Sequence, residues 1–236
     1  YQYYIPRSRY NWQNYLTYNV EFAESKLSVV AGIEAQKSTS RNFFAHGFDL
    51  SSTYFAENEN IISGSLNSQL IGGTANENVF QAYFGRANYT IRDRYFLSAS
   101  LRQDRISSLP HGNQSVLLPG LSLGWDIAKE SFFQSGFVSQ FKLRGGYATV
   151  GNTAIGNYPY AGIFSAAIYG DYSGIYYSQT GNPDLKFETS KKYNVGVDMA
   201  FVNDRFTLTA DYFRNNIDNM VLGVPTPPSL GVPGNS

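Results

Sequence analysis

Cysteine is absent from the 236 residues, which excludes a disulfide framework and a thiolate metal site. Charged residues are scarce, at 15% of the chain, against about 25% in an average soluble domain. The formal net charge is +0, so the basic surface that nucleic-acid binding requires is missing. No apolar run approaches the roughly 18 residues of a membrane-spanning helix. Aromatic residues, by contrast, are abundant, at 16% of the chain.

Apolar and polar residues alternate along residues 193–213, which read YNVGVDMAFVNDRFTLTADYF. Every second residue of the first half is large and apolar, as at Tyr193, Val195 and Val197, and the pattern resumes after the turn-like VNDR. This period predicts two β-strands joined by a short turn. The apolar face of such a hairpin either packs on a second sheet or contacts lipid.

The same alternation predicts roughly eight strands in the whole chain. They are centred on residues 12–22, 27–35, 83–91, 95–104, 119–127, 141–147, 193–201 and 206–212. The first, third and seventh connections are short, and the fifth (128–139) is intermediate, with one or two helical turns expected in residues 127–138. The second, fourth and sixth are residues 36–78, 105–115 and 150–191. Odd and even connections of an up-and-down sheet lie at opposite rims, and this asymmetry is typical of outer-membrane barrels.

Strand length and charge distribution favour a lipid-facing apolar side. Strands of about ten residues, tilted by about 45°, span about 24 Å, close to the ~25 Å apolar band of an outer-membrane barrel. The charged strand residues belong to the polar set, predicted to line a wet interior: Lys26, Glu34, Arg86, Arg102, Lys142, Arg144, Asp198 and Asp211. The alternative is a soluble carbohydrate-binding β-sandwich, whose apolar side would face a second sheet about 10 Å away.

Several ordered segments resemble the SusC/RagA family of TonB-dependent outer-membrane transporters of Bacteroidetes-type bacteria. They are FGRANYTIRDRYFLSASLRQD (84–104), LPGLSLGWDIAKESFF (118–133), KLRGGYATVGNTAIGNYPY (142–160) and GNPDLKFETSKKYNVGVD (181–198). Residues 203–229 continue the match, whereas the first 80 residues match only in type.

The resemblance implies an all-β fold, an antiparallel up-and-down transmembrane β-barrel of about 22 strands closed around a plug. Residues 1–236 would form about eight of these strands, as barrel wall and extracellular loops, with the plug domain and the TonB box absent from this chain. The resemblance also implies a place in the bacterial outer membrane, in contact with its lipid, with a SusD-like surface lipoprotein and TonB as partners. The implied function is import of an oligosaccharide or a peptide, with no catalytic step and no cofactor.

The residues that could carry chemistry have simpler interpretations. Ser122 lies in GLSLG, which matches the G-x-S-x-G nucleophile elbow of hydrolases. That motif requires a strand-to-helix turn and usually a downstream histidine, whereas His46 and His111 both precede Ser122 and residues 120–124 are predicted to be strand. The two histidines are predicted in separate loops without a metal site.

Two polar stretches rich in tyrosine are the better candidates for a binding site, at residues 51–61 and 169–184. Tyrosine rings stack on sugars or pack against peptides, while Asn, Asp and Gln bind hydroxyl or amide groups. The hypothesis names Tyr172, Tyr176 and Tyr177 as ligand contacts. The alternative is that these loops pack on the lipoprotein or on neighbouring loops.

Overall fold

The structure, a computed structural model, describes residues 2–48, 69–225, 227, 229 and 231. Within these residues there are eleven β-strands and one 3-10 turn, Ile127–Lys129. The strands are β1 Gln2–Tyr4, β2 Arg7–Phe22, β3 Ser25–His46, β4 Leu70–Ile91, β5 Tyr95–Ile106, β6 Ser115–Asp126, β7 Val138–Asn152, β8 Ile163–Tyr169, β9 Tyr172–Gln179, β10 Glu188–Phe201 and β11 Phe206–Asp218. None of the described helical residues builds a helix of the length and apolarity needed to cross a membrane.

Nine of the described strands form one antiparallel sheet in the order β1-β3-β4-β5-β6-β7-β10-β11, with β2 also paired to β3. The eight predicted strands are therefore confirmed, although they are longer than predicted. β3 and β4 extend far into residues 36–78, which were predicted to be a connection. Among the described strands, β11 pairs with β10 alone and is therefore an edge of this sheet.

The chain divides into two compact units. Unit 1 comprises Tyr1–Trp12 and Gln36–Val79; in it β1 pairs with the end of β3. Unit 2 comprises Gln13–Ala35 and Phe80–Ser236, and therefore contains β5 to β11 with the adjoining parts of β2, β3 and β4. The predicted tyrosine-rich stretch at residues 51–61 lies outside the described residues.

Directly paired residues share a face of the sheet, and in unit 2 they divide into an apolar and a polar face, as predicted. One row of the apolar face is Tyr89, Leu97, Leu123, Gly145, Val195 and Tyr212. The apolar face is uncovered: Leu121 is 47%, Val195 63% and Leu208 52% exposed. No second layer packs on it within the described residues, so the β-sandwich alternative is wrong.

The two rims of unit 2 differ as the connection lengths predict. The short-turn rim carries the links β2–β3, β4–β5, β6–β7 and β10–β11, and the predicted helical turn is the 3-10 turn after β6. The long-loop rim carries residues 107–114 and 153–187. The second of these connections was predicted as loop, but it contains the separate β8–β9 hairpin.

A small apolar core fixes the loops at the long-loop rim. Leu109 is fully buried, and Ile106 and Phe187 are 5% and 4% exposed beside it. The Asn113 side-chain amide donates to the Leu185 carbonyl at 3.1 Å. These contacts attach residues 107–114 to the end of the long connection before β10. Sequence periodicity gave no signal for this core, because its members come from a strand end and two irregular segments.

Candidate functional site

An arginine-centred network crosses three strands on the polar face. Arg144 on β7 donates from Nε to Asp198 on β10 at 3.0 Å and from a terminal nitrogen to Asp211 on β11 at 2.7 Å. Gly196 lies between Arg144 and Asp211 in the strand register. A Cβ at Gly196 would lie 2.7 Å from Arg144 Cζ and closer still to the Asp211 carboxylate. Because Gly196 has no side chain, the Arg144 guanidinium can reach across this position to Asp211.

A second network lies on the polar face nearer the long-loop rim. Arg102 on β5 donates to Glu34 on β3 at 3.0 Å and to Asp104 at 2.6 Å. Its guanidinium also lies 5.6 Å and 5.7 Å from the ring centroids of Phe80 and Phe84, within cation–π range. The predicted charged set thus shares one face, where Arg102 pairs with Glu34 and Arg144 pairs with Asp198 and Asp211 across strands.

The short-turn rim has its own polar cluster around Glu130, whose side chain is 8% exposed. The carboxylate accepts hydrogen bonds from the Tyr95 hydroxyl, from Trp125 Nε1 at 3.0 Å and from Arg94 at 2.8 Å. The Tyr95 hydrogen bond, followed by that from Trp125, lowers the pKa of the Glu130 carboxyl below its ordinary value. The Tyr95 and Trp125 rings are stacked, with centroids 6.4 Å apart.

The three tyrosines proposed as ligand contacts all lie on β9, and the hairpin separates them by face. Tyr172 and Tyr176 belong to one face, with the Tyr172 partner Tyr169 beside them. These three side chains are 78%, 55% and 88% exposed, respectively. The remaining positions of this face are small residues, Ala167, Gly174 and Ser165, so the three rings project beyond their neighbours. We call the surface of Tyr169, Tyr172 and Tyr176 the tyrosine face.

Tyr177 lies on the opposite face with Phe164, Ile168 and Ile175. Its ring centroid is 4.8 Å from that of Phe164, and its hydroxyl accepts a hydrogen bond from the Gly181 backbone N–H at 3.1 Å. Ile168 and Ile175 are 80% and 73% exposed. We call this second surface the aliphatic face.

Tyr169 is a residue that the sequence hypothesis missed, although a signal for it existed. The letters YGDY place Gly170 and Asp171 between two tyrosines, and a Gly-Asp pair of this kind is a hairpin signal. Gly170 has φ +60, which a glycine adopts without steric cost. Period-two alternation from that turn puts Tyr169 beside Tyr172.

The motifs weighed for catalysis and metal binding fall in unrelated places. Ser122 lies in the middle of β6, paired with Ser98 and Gly146, and has no strand-to-helix turn next to it. His46 is the last residue of β3, not a loop residue as predicted, and His111 lies between β5 and β6. The described part of the chain contains no group of three His, Cys, Asp or Glu residues able to bind a metal.

Long antiparallel strands, an uncovered apolar face and an ion-paired polar face together define the wall of a transmembrane β-barrel. The family model described as "TonB dependent receptor-like, beta-barrel" matches residues 1–236. The chain belongs to this family, whose members lie in the outer membrane of Gram-negative bacteria.

Curated relatives confirm the resemblance to SusC/RagA proteins. TonB-dependent receptor P3 of Formosa agariphila is 31% identical over 93% of this chain. TonB-dependent receptor SusC of Bacteroides thetaiotaomicron is 27% identical over 94% of it. The chain spans only 22% and 23% of these two proteins.

A solved structure shows the same fold. The RagAB peptide transporter superposes with a TM-score of 0.86, at 22% identity, over 97% of this chain and 26% of that one. The fold prediction, an antiparallel transmembrane barrel wall, is confirmed. In such barrels short turns face the periplasm and long loops face the outside, which assigns the two rims.

Proposed function

We propose that the protein containing this chain imports an oligosaccharide or a peptide across the outer membrane. TonB, acting on a plug domain outside residues 1–236, would supply the energy, and a SusD-like lipoprotein would cover the extracellular side. SusC and the RagAB peptide transporter, to which the chain is similar, support this proposal. In this proposal, residues 1–236 bind and guide the substrate and carry out no catalytic step.

The observation that carries the proposal is the two-sided β8–β9 hairpin in the longest extracellular connection among the described residues. A two-stranded hairpin is marginally stable on its own, so large exposed rings on it need a partner. The tyrosine face offers three flat rings separated by small residues, which suits stacking on a sugar or a peptide. Asp171 is the sole charged residue of the hairpin, between positions 163 and 179. This low charge favours an uncharged ligand.

The two faces are proposed to have different partners. Tyr172 and Tyr176, with Tyr169, would contact the substrate. The aliphatic face, with Ile168 and Ile175, would contact the lipoprotein. Tyr177, which the sequence hypothesis grouped with the ligand contacts, would instead pack on Phe164 within the hairpin and attach the hairpin to residue 181. That all three tyrosines contact a ligand stays a prediction.

A pair of double variants of the full-length transporter tests this assignment. Tyr172→Ala with Tyr176→Ala removes two stacking rings, so we expect substrate affinity to fall by about 10- to 100-fold, at roughly 0.5–1.5 kcal/mol or more per ring. Isothermal titration with a panel of neutral oligosaccharides and peptides measures the affinity. The matched control is Ile168→Ala with Ile175→Ala, in the same hairpin and on its other face.

The control should retain substrate affinity and weaken co-purification of the lipoprotein. Unchanged substrate affinity in the tyrosine double variant would refute the tyrosine face as the binding surface. Loss of lipoprotein in that variant, at constant affinity, would instead support the packing alternative.

A further inference from the structure

A groove of about 740 Å³ crosses the apolar face of unit 2 between β2 and β6. Its floor is at Gly85, which has no side chain. Its walls are large apolar side chains: Leu16, Tyr83, Leu101 and Leu117. A Cβ built on Gly85 would meet only the Val30 carbonyl oxygen, at 3.8 Å. We call this depression the Gly85 groove.

The groove crosses five strands, and on β5 its lining extends from Leu101 to Gln103, in the direction of the outer leaflet. Tyr95 lies at the periplasmic end of β5, and Leu101, Gln103 and Arg105 follow it on the same face. At about 3.3 Å per residue and a tilt of about 45°, Leu101 lies about 14 Å and Arg105 about 23 Å above the level of Tyr95. The floor is therefore near mid-membrane, and Arg105 is at the outer edge of the ~25 Å apolar band.

The polarity of the lining changes along this path. Apolar walls at Leu101 and Leu117 give way to the amide of Gln103, which is paired with Tyr83 and Leu117. Arg105 is exposed and donates to the Gln114 side chain at 3.2 Å. On β5 the lining ends at Gln103, and Arg105 is the next residue of this face beyond it. A hydrocarbon-sized groove with an arginine just beyond its outer edge matches a lipid acyl chain joined to an anionic head group, and arginine is well suited to phosphate.

We infer that the Gly85 groove binds one acyl chain of a phosphorylated outer-leaflet lipid, whose phosphate contacts Arg105. The occupant follows from two observations. The groove is continuous with the lipid-facing surface of the barrel wall, and Arg105, the next residue of this face beyond Gln103, carries the positive charge that complements a phosphate. This site is separate from the proposed substrate surface on the hairpin, so either assignment can fail without the other.

A second depression on the same face supplies a matched control. It surrounds Gly145, is about 600 Å³ in volume and is lined by Tyr89, Leu97 and Trp125. Trp125 pairs with Tyr95 at the periplasmic end, so this depression lies in the inner half of the membrane. A Cβ on Gly145 would meet only the Asn194 carbonyl oxygen, at 3.9 Å. A Cβ therefore has similar space at both glycines.

The experiment compares Gly85→Leu, Gly145→Leu and Arg105→Gln in the full-length transporter, purified and delipidated in detergent. Each is titrated with lipid A and with dephosphorylated lipid A, and native mass spectrometry counts the retained lipid. Folding is checked by the heat-modifiable mobility of the barrel on gels. We expect Gly85→Leu to reduce retention of lipid A about tenfold, because its side chain displaces about two methylene groups from the groove.

Gly145→Leu should leave that retention unchanged, and Arg105→Gln should abolish the preference for the phosphorylated form. Equal losses at the two glycines, or none at either, would show ordinary lipid contact and overturn the inference. If Gly85→Leu instead releases a protein partner at constant lipid retention, the groove contacts protein and the inference is wrong.

Discussion

Gly196 is the residue on which the Arg144 network depends most directly, since any side chain there collides with the guanidinium. We expect Gly196→Ala to lower the free energy of unfolding of the barrel by about 1 kcal/mol, because the Arg144 and Asp211 side chains can shift but weaken their hydrogen bond when they do. The control is Gly146→Ala on the same polar face. Its Cβ would meet Leu121 and Ser122 atoms at 3.6 Å and 3.7 Å, which are ordinary contacts. Denaturant unfolding in lipid vesicles measures both, and equal costs would contradict the role of Gly196.

The Glu130 cluster predicts a pH dependence at the periplasmic rim. The pKa of this carboxyl is lowered by its hydrogen bonds to Tyr95 and Trp125, so folding stabilises the ionised form. This stabilisation is complete above the ordinary carboxyl pKa and is lost as the pH falls through the lowered one. Glu130→Gln should therefore lower Tm at pH 7. On acidification, the Tm of this variant should fall less than the Tm of the parent protein. Parallel Tm–pH curves between pH 3 and pH 7 would refute this.

Residue types could be assigned to faces from the sequence, but their partners could not. Arg144, Asp198 and Asp211 were all predicted on the polar face, and they are there. Their pairing depends on the register between β7 and β10, which are separated by a long connection with its own hairpin. Alternation determines which face a residue occupies and leaves the register across such a gap open.

At the scale of elements, the β10–β11 turn contains backbone strain that the sequence pattern does not show. Val202, Asn203 and Asp204 all have positive φ, of 53, 52 and 64. A β-branched residue is rare in this conformation, which costs an L-residue about 1–2 kcal/mol. The Val202 N–H donates to the Phe137 carbonyl at 2.8 Å, and glycine would keep this hydrogen bond.

Val202→Gly should therefore raise the free energy of unfolding by about 0.5–1 kcal/mol, after the entropy cost of glycine is subtracted. The comparison is Thr207→Gly in β11, where the backbone is extended and glycine should cost about 0.5–1 kcal/mol. Both are measured by denaturant unfolding. A loss of stability in both variants would contradict the strain assigned to Val202.

The strands that the sequence predicted well are those with a clear change between apolar and polar residues. β8 and β9 were missed because both of their faces are apolar or small, which leaves no alternation of polarity. The outer ends of β3 and β4 were missed because polar residues dominate them beyond the apolar band. Strand length beyond the membrane is set by pairing with neighbours, which no single strand reveals.

At the scale of the molecule, the central claim is that the apolar face contacts lipid and the polar face lines the interior. The ion pairs support it, since Arg102, Arg144, Asp198 and Asp211 lie on the polar face, whereas Arg105 on the other face is at the outer edge of the apolar band. The exposure of Leu121, Val195 and Leu208 excludes a two-layer alternative that the sequence left open. In addition, the small apolar core of Ile106, Leu109 and Phe187 fixes two loops at the extracellular end of the polar face.

Site-directed spin labelling tests this claim most directly, because the chain has no cysteine of its own. Single cysteines at Leu121, Val195 and Leu208, and at their neighbours Ser122, Asn194 and Thr209, would be labelled in the transporter reconstituted in lipid bilayers. We expect the first three labels to collide with dissolved oxygen and not with a water-soluble nickel chelate, whereas their neighbours show the reverse preference or low accessibility to both. Protection of Leu121, Val195 and Leu208 from both reagents would mean that protein covers this face, and would contradict the account.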